Sequence, residues 1–397
     1  MSTGPRVRPA AGHGLGHRPL PPLSLYVHVP WCVRKCPYCD FNSHEAGPDL
    51  PEDDYLDALQ ADLEQALPLI WGRQVISVFI GGGTPSLLSD RAVERMLTTL
   101  RAYLNLLPDA EITLEANPGT AEAGRFKAYA QSGVTRLSLG IQSFNDEALR
   151  ALGRIHDARQ ARAAIEMAQN AAQQVNLDLM YALPGQTLQA CKDDLATAMS
   201  FGTGHLSLYH LTLEPNTVFA KYPPPLPDDD LAAHMHEHIV EATAAGGWEQ
   251  YEVSAYARPG CRSLHNQNYW TFGDYLGIGP GAHGKLSFHD RIVRQARHRS
   301  PESWITRARR RDGSHIAEER IVAPEELAFE FMLNALRLKE GVEIGLFPAH
   351  TGLPVTAVLA TLKRLEEREL VSLQAGRMRA TERGWRYLNN VLQEFLD

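Results

Sequence analysis

Apolar positions along the chain recur with two periods. Short runs rich in Val, Ile, Leu and Phe lie at residues 24–30 (SLYVHVP), 75–81 (VISVFIG), 111–118 (EITLEANP), 136–144 (RLSLGIQSF), 176–184 (NLDLMYALP) and 205–215 (HLSLYHLTLEP), and they read as strands. Between them lie stretches of helical spacing, such as 53–70 (DDYLDALQADLEQALPLI) and 90–104 (DRAVERMLTTLRAYL). Strands alternating with helices imply parallel βα units with right-handed crossovers, so an α/β barrel or a doubly wound sheet is expected. Polar or glycine-rich groups follow the runs. Cysteines come after the first, GGGTP after the second, Glu115 and Asn117 within the third, Gln142 and Ser143 in the fourth, and Asp178 and Tyr181 in the fifth. Groups gathered at strand carboxyl ends are what a β/α barrel produces, and six strands rather than eight predict a partial, open-sided one.

The pattern changes after residue 215. A proline-rich stretch, 222–230, leads into a helix-like segment carrying His234, His236 and His238, and then comes the aromatic, glycine-rich run 265–284 (HNQNYWTFGDYLGIGPGAHG). Residues 325–397 are mostly amphipathic helix, and two short runs around a glycine turn near residue 376 predict a winged-helix-like unit. The expected division is a disordered tail over 1–22, a barrel over 23–260, a connecting region over 261–320 and a C-terminal domain over 321–397. His234 and His238 share a helix face at i, i+4, which suits a metal pair, but a surface helix is the expectation.

Cys32, Cys36 and Cys39 form C-x3-C-x2-C on a loop that leaves the first strand. Three soft thiolates this close can face one centre. Zinc would want a fourth protein ligand, with His28 or His44 as candidates. A disulfide would leave one thiol over, and a plain buried cluster sits badly with Pro30 and Pro37. A [4Fe–4S] cluster with one iron left open is the sharpest reading. Cys191 and Cys261 have no cysteine nearby and are not expected to be ligands.

Composition narrows the classes. At 397 residues, two or three domains are expected, and 44% hydrophobic with 22% charged residues is ordinary for a soluble protein. No run of about 18 apolar residues is present, so no membrane span is expected. The N-terminus lacks the apolar stretch of a signal peptide. A net charge of −8 argues against general nucleic-acid binding. Five cysteines, odd in number and three of them bunched, do not make a secreted disulfide framework, and a cytoplasmic location is expected.

The triplet, with Tyr38 just before its last cysteine, resembles the radical SAM superfamily. That resemblance implies a partial (β/α)6 barrel, a [4Fe–4S] cluster on Cys32, Cys36 and Cys39, and S-adenosylmethionine (SAM) on the open iron. It makes Gly82, Gly83 and Thr84 part of the motif that positions the SAM amino group, and Glu115 a SAM-contacting acid. Tyr26, Gln142, Arg154 and Asp178 match SAM-site positions of oxygen-independent coproporphyrinogen III oxidases. A guanidinium suits the SAM carboxylate and acids suit ribose hydroxyls.

Within that group the chain is closest to the haem chaperones, through YEVSAYARPG, EFMLNALRL and above all the HNxxYW motif, His265 to Trp270. Phe41 stands where the oxidase has a further cysteine, so decarboxylation of coproporphyrinogen III, the alternative, is disfavoured. The resemblance implies a protein that binds haem, with His265 as the candidate contact and Tyr269 and Trp270 as flat faces beside a porphyrin. It would pass haem to haemoproteins such as respiratory enzymes, some of them membrane-bound, with the cluster serving transfer or homodimer formation. SAM binding is expected; its cleavage is left open. A winged-helix regulator is the third class, disfavoured by the acidic whole.

Overall fold

The computed structural model describes residues 20–119 and 123–396. All six anticipated strands are present: β1 (Leu23–Val29), β2 (Gln74–Gly82), β3 (Asn105–Ala116), β4 (Arg136–Gln142), β5 (Gln174–Tyr181) and β6 (His205–His210). They pair in that order and all in parallel, as βα crossovers require. The connecting helices include α1 (Glu52–Ile70), α2 (Asp90–Tyr103), α3 (Phe126–Ser132), α4 (Ala158–Ala171) and α5 (Leu188–Ser200). Ser89 caps α2 by accepting from the Ala92 amide, and Asp157 and Gln160 close a capping box on α4.

Residue alternation sorts the two faces of the sheet. Leu25, Val27, Ile112, Leu114, Leu137, Leu139, Leu177, Leu179, Leu206 and Leu208 join the helices in one apolar core. The intervening residues are mostly polar. Glu115 lies opposite Ser138, Ser138 opposite Asn176, and Asn176 opposite His205. A polar band of this kind is stable only if its members bond one another or a ligand. Here they bond one another: Ser138 donates to Asp178 at 2.8 Å, and Asn176 Nδ2 bonds both Ser138 and Asp178.

The sheet extends past the six strands at both edges, to twelve strands among the described residues. Beyond β6 lies antiparallel β7 (Ala255–Ala257), followed by the short strand Glu249–Gln250. Beyond β1 lies a seventh parallel strand, β8 (Asp274–Ile278), within the expected connecting region rather than the expected barrel. It continues as antiparallel β9 (His283–Ser287), β10 (Ile292–Arg297) and β11 (Ile316–Ile321). Of the expected tail, residues 1–19 lie outside the described residues. Pro21 and Pro22 accept hydrogen bonds from the Arg73 guanidinium and the Asp274 amide, which fixes the chain as it enters β1.

Residues from 322 onward build a second core around Phe331, Phe347, Leu362 and Met378, to which Phe272 and Ile292 of the first unit contribute. Its helices Pro324–Ala335, Leu346–Thr351 and Thr356–Glu367 precede a hairpin, Val371–Gln374 with Arg377–Ala380. The hairpin turns through Ala375 and Gly376, both at positive φ, so the unit is winged-helix-like. The fold is therefore mixed α/β, an open β/α barrel with a helical and winged C-terminal unit.

Candidate functional site

The three cysteines stand at the carboxyl end of the parallel strands, on a loop folded back over β2. Gly83 and Thr84 donate their amides to the carbonyls of Val29 and Trp31, both at 2.7 Å. A Cβ on Gly83 would sit 2.5 Å from the Trp31 carbonyl oxygen, and one on Gly82 2.6 Å from the His28 ring. The glycines are therefore needed for backbone to reach backbone. Gly82 donates its amide to Glu115 at 3.0 Å. With these three amides used inside the chain, the motif offers a ligand its carbonyls rather than its N–H groups.

Two hydrogen-bond donors point at the sulfurs: Thr84 Oγ1 at 3.5 Å from Cys32 Sγ and Arg154 Nη1 at 3.7 Å from Cys36 Sγ. Arg154 also donates through Nη2 to the Gly140 carbonyl at 2.8 Å and to Asn117 Oδ1. Asn117 Nδ2 in turn bonds Thr84 Oγ1 at 3.1 Å. Asn117 is thus the hub that joins the strand ends to the cysteine loop. In the sequence it is one polar group of the third run, and a lone asparagine carries no signal of such a role. Beneath the loop, Leu152, Leu183, Leu211 and Phe219 form a small core of their own against Tyr38. The apolar runs at 176–184 and 205–215 continue past β5 and β6 for this reason.

Cys32, Cys36, Cys39, Tyr38, Gly82, Gly83, Thr84, Glu115, Gln142, Arg154 and Asp178 all line one cavity of about 460 Å3. Gln142 adopts a left-handed φ of 67°, an uncommon conformation for a side chain of its size. Burial, reinforced by the nearby Asp178 carboxylate, pushes the Glu115 carboxyl up to about 8 despite the Gly82 amide. Burial pushes the Asp178 carboxyl up too.

Tyr26 and His265 are not in that cavity. They line a second chamber of about 470 Å3, with His28, Tyr269, Tyr275, His283 and Arg299. The two spaces share a wall of Gly82, Glu115, Asp40 and Phe41. His265 comes from α6 (Leu264–Trp270), which packs on the polar face of β1 and β2. Glu111 Oε1 accepts from Ser263 Oγ and from the amides of Leu264 and His265, which anchors the start of this helix.

The zinc alternative loses its fourth ligand here. His28 Nε2 donates to the Asn42 carbonyl at 2.8 Å, and its Nδ1 accepts from Tyr26 Oη at 2.9 Å, so both ring nitrogens are engaged. Burial also holds the His28 pKa down at about 4. His44 Nε2 faces Asn42 Oδ1 at 3.3 Å. Among the described residues no three His, Cys, Asp or Glu side chains converge as one ion requires, and His234 is exposed on its helix. Three thiols spread over one loop, two of them with donors aimed at sulfur, instead suit thiolates on a larger cluster.

Comparison with known proteins agrees. The family model "Radical SAM superfamily" matches residues 26–198, and "HemN C-terminal domain" matches residues 322–387. A heme chaperone HemW of Escherichia coli is 46% identical over 95% of this chain and 99% of its own. The Bacillus subtilis protein of that name is 33% identical over 94% and 99%. A bovine mitochondrial protein, radical S-adenosyl methionine domain-containing protein 1, is 35% identical over 98% and 92%. The solved structure of coproporphyrinogen III oxidase (HemN) from Escherichia coli superposes with a TM-score of 0.80 over 96% of this chain and 92% of that one. At 23% identity it is a likeness of fold. Membership of the superfamily implies a [4Fe–4S] cluster and SAM. Near-complete alignment with the HemW proteins narrows this further: the chain belongs to the HemW family within the radical SAM superfamily.

Proposed function

We propose that the protein is a haem chaperone, which binds haem in the His265 chamber and delivers it to haemoproteins such as respiratory enzymes. The cluster sits on Cys32, Cys36 and Cys39, and SAM fills the adjoining cavity. Arg154 would meet the SAM carboxylate, Glu115 and the Gly82 and Gly83 carbonyls its ammonium, and Asp178 a ribose hydroxyl. Held on these three cysteines and reduced, a [4Fe–4S] cluster would be a one-electron donor beside the sulfonium. Tyr38, Thr84 and Gln142 shape that cavity, and Tyr26 stands on the other side of the shared wall. The observation that carries this reading is the pair of cavities behind one wall: a haem-sized ligand touching Phe41 and Glu115 would feel what occupies the other side. Transfer takes place in the cytoplasm, also to membrane-bound recipients; no described helix is long and apolar enough to cross a membrane.

Phe41, 59% exposed at the mouth of both cavities, brings no thiol to the site. The test is to incubate anaerobic, cluster-loaded protein separately with haem and with coproporphyrinogen III. Stoichiometric haem binding without decarboxylation is expected; protoporphyrinogen IX formed with SAM would overturn the reading in favour of an oxidase.

A further inference from the structure

His265 reaches its chamber with one ring nitrogen already committed. Nδ1 lies 3.2 Å from Ser77 Oγ, and Ser77 Oγ lies 2.8 Å from Ser24 Oγ. Behind Ser24 stands Asn268, whose Nδ2 donates to Ser24 Oγ and to the Asp274 carbonyl, both at 2.9 Å. A backbone carbonyl only accepts, so the Asp274 contact fixes which end of the Asn268 amide faces it. The second amide hydrogen then goes to Ser24, and the direction of every following bond is set. Ser24 gives its hydrogen to Ser77, Ser77 gives its own to His265 Nδ1, and each donor has an acceptor.

In the reverse direction Nδ1–H would donate to Ser77 and Ser77 to Ser24. The Ser24 hydroxyl hydrogen would then have no acceptor among the described residues. Ser24, Ser77, Asn268 and His265 are 1%, 0%, 5% and 6% exposed, so water does not relieve the loss. A buried donor left unpaired is the costlier arrangement.

We infer that His265 is held with its proton on Nε2 and meets its ligand as a hydrogen-bond donor to a carboxylate, not as an iron ligand, with Ser77, Ser24 and Asn268 as its positioning residues. An iron ligand would need the Nε2 lone pair and therefore a proton on Nδ1, usually given to a carboxylate or carbonyl. A serine relay that ends in an amide donor enforces the opposite. Burial keeps the imidazole neutral, with a pKa near 3, so the tautomer decides what the ring presents. Nε2 has no hydrogen-bond partner among the described residues. The same chamber is lined by Arg299, which forms no ion pair with a carboxylate among the described residues and bonds only weakly to Asn42 Oδ1 at 3.4 Å. A guanidinium and an imidazole N–H in one chamber fit a ligand with more than one carboxylate, which for haem means its propionates.

The identity of the ligand rests on the haem-chaperone reading; the tautomer does not. Two measurements separate them. In ligand-free protein labelled with 15N-histidine, two-bond proton–nitrogen correlations, assigned by their loss in His265→Gln, are expected to show the proton on Nε2. A proton on Nδ1 overturns the inference. In ferric haem titrations, His265→Ala is expected to weaken binding by about tenfold while leaving the Soret band and electron paramagnetic spectrum unchanged. His265→Gln, which keeps an N–H donor, should bind within about threefold of the parent. Ser77→Ala should fall between them. Loss of a low-spin signal in both His265 variants, or parental affinity in His265→Ala, overturns the inference. If the parent binds no haem, the proposed function fails, and the nitrogen correlations still decide the tautomer.

Discussion

The two cavities meet at one wall yet are made in different ways. The cysteine-side cavity is built from strand ends that are neighbours in the sheet, so its side chains inherit their spacing from the ladder. The His265 chamber is assembled from distant pieces: β1, the loop around Asn42, helix α6 and the β8–β9 turn. Acidic and basic side chains, among them Arg154, Glu115 and Asp178, project into the first, while rings and imidazoles dominate the second. A site on regular strands can hold charge in fixed geometry; a site between elements accommodates a broad flat ligand but depends on packing for its shape.

The largest expected effect comes from breaking the first cavity alone. Cys36→Ala should abolish incorporation of the cluster, read as iron and sulfide content near zero. Haem affinity should stay within about threefold, since the second chamber has no contact with that thiol. Joint loss of haem binding would show that the two spaces are one site. Arg154→Ala removes donors to Asn117, Gly140 and Cys36 together. SAM binding, measured by anaerobic calorimetry, should weaken by about a hundredfold, as for charge-assisted hydrogen bonds. Gly83→Ala pushes a methyl group against the Trp31 carbonyl and should cost about 1–3 kcal/mol in denaturant unfolding. It should also reduce cluster loading, whereas the same change at the solvent-facing Gly376 turn should leave loading intact.

Glu115 sits in the shared wall and gives a smaller, pH-dependent signal. Its carboxyl keeps a proton up to about pH 8 in the folded chain, against an ordinary value of 4.5. Between those values the folded state binds the extra proton, so this group's stability contribution is fully present at low pH and is lost as pH rises through about 8. Glu115→Gln should therefore unfold a few degrees higher than the parent at about pH 9, with little difference at about pH 4. A difference independent of pH would place the carboxyl outside the buried wall.

The six strands were legible because each alternates apolar and polar residues, and that alternation is the same property that lines the barrel with chemistry. The cysteine triplet was legible because its spacing is local. What was not legible depended on distance along the chain. Strand β8 reads as Asp-Tyr-Leu-Gly-Ile, short and followed by a glycine turn, and nothing local says that it will lie beside β1. Ser24, Ser77 and Asn268 are unremarked singly and become a relay only when α6 crosses β1 and β2. Resemblance singles out Tyr26 and His265, but their meeting in one chamber apart from the thiols depends on α6 crossing β1, a contact remote in sequence.

The pairing of β8 with β1 has a consequence for how the molecule is made. Until residue 278 has left the ribosome, β1 is an open edge, with one flank unpaired directly beneath the loop that carries the three thiols. β1 is thus enclosed late, because its second neighbour lies some 250 positions downstream, and contacts this remote form slowly. The cysteine loop stays accessible while those intervening positions are made, and it is enclosed only once β8 is available to pair with β1.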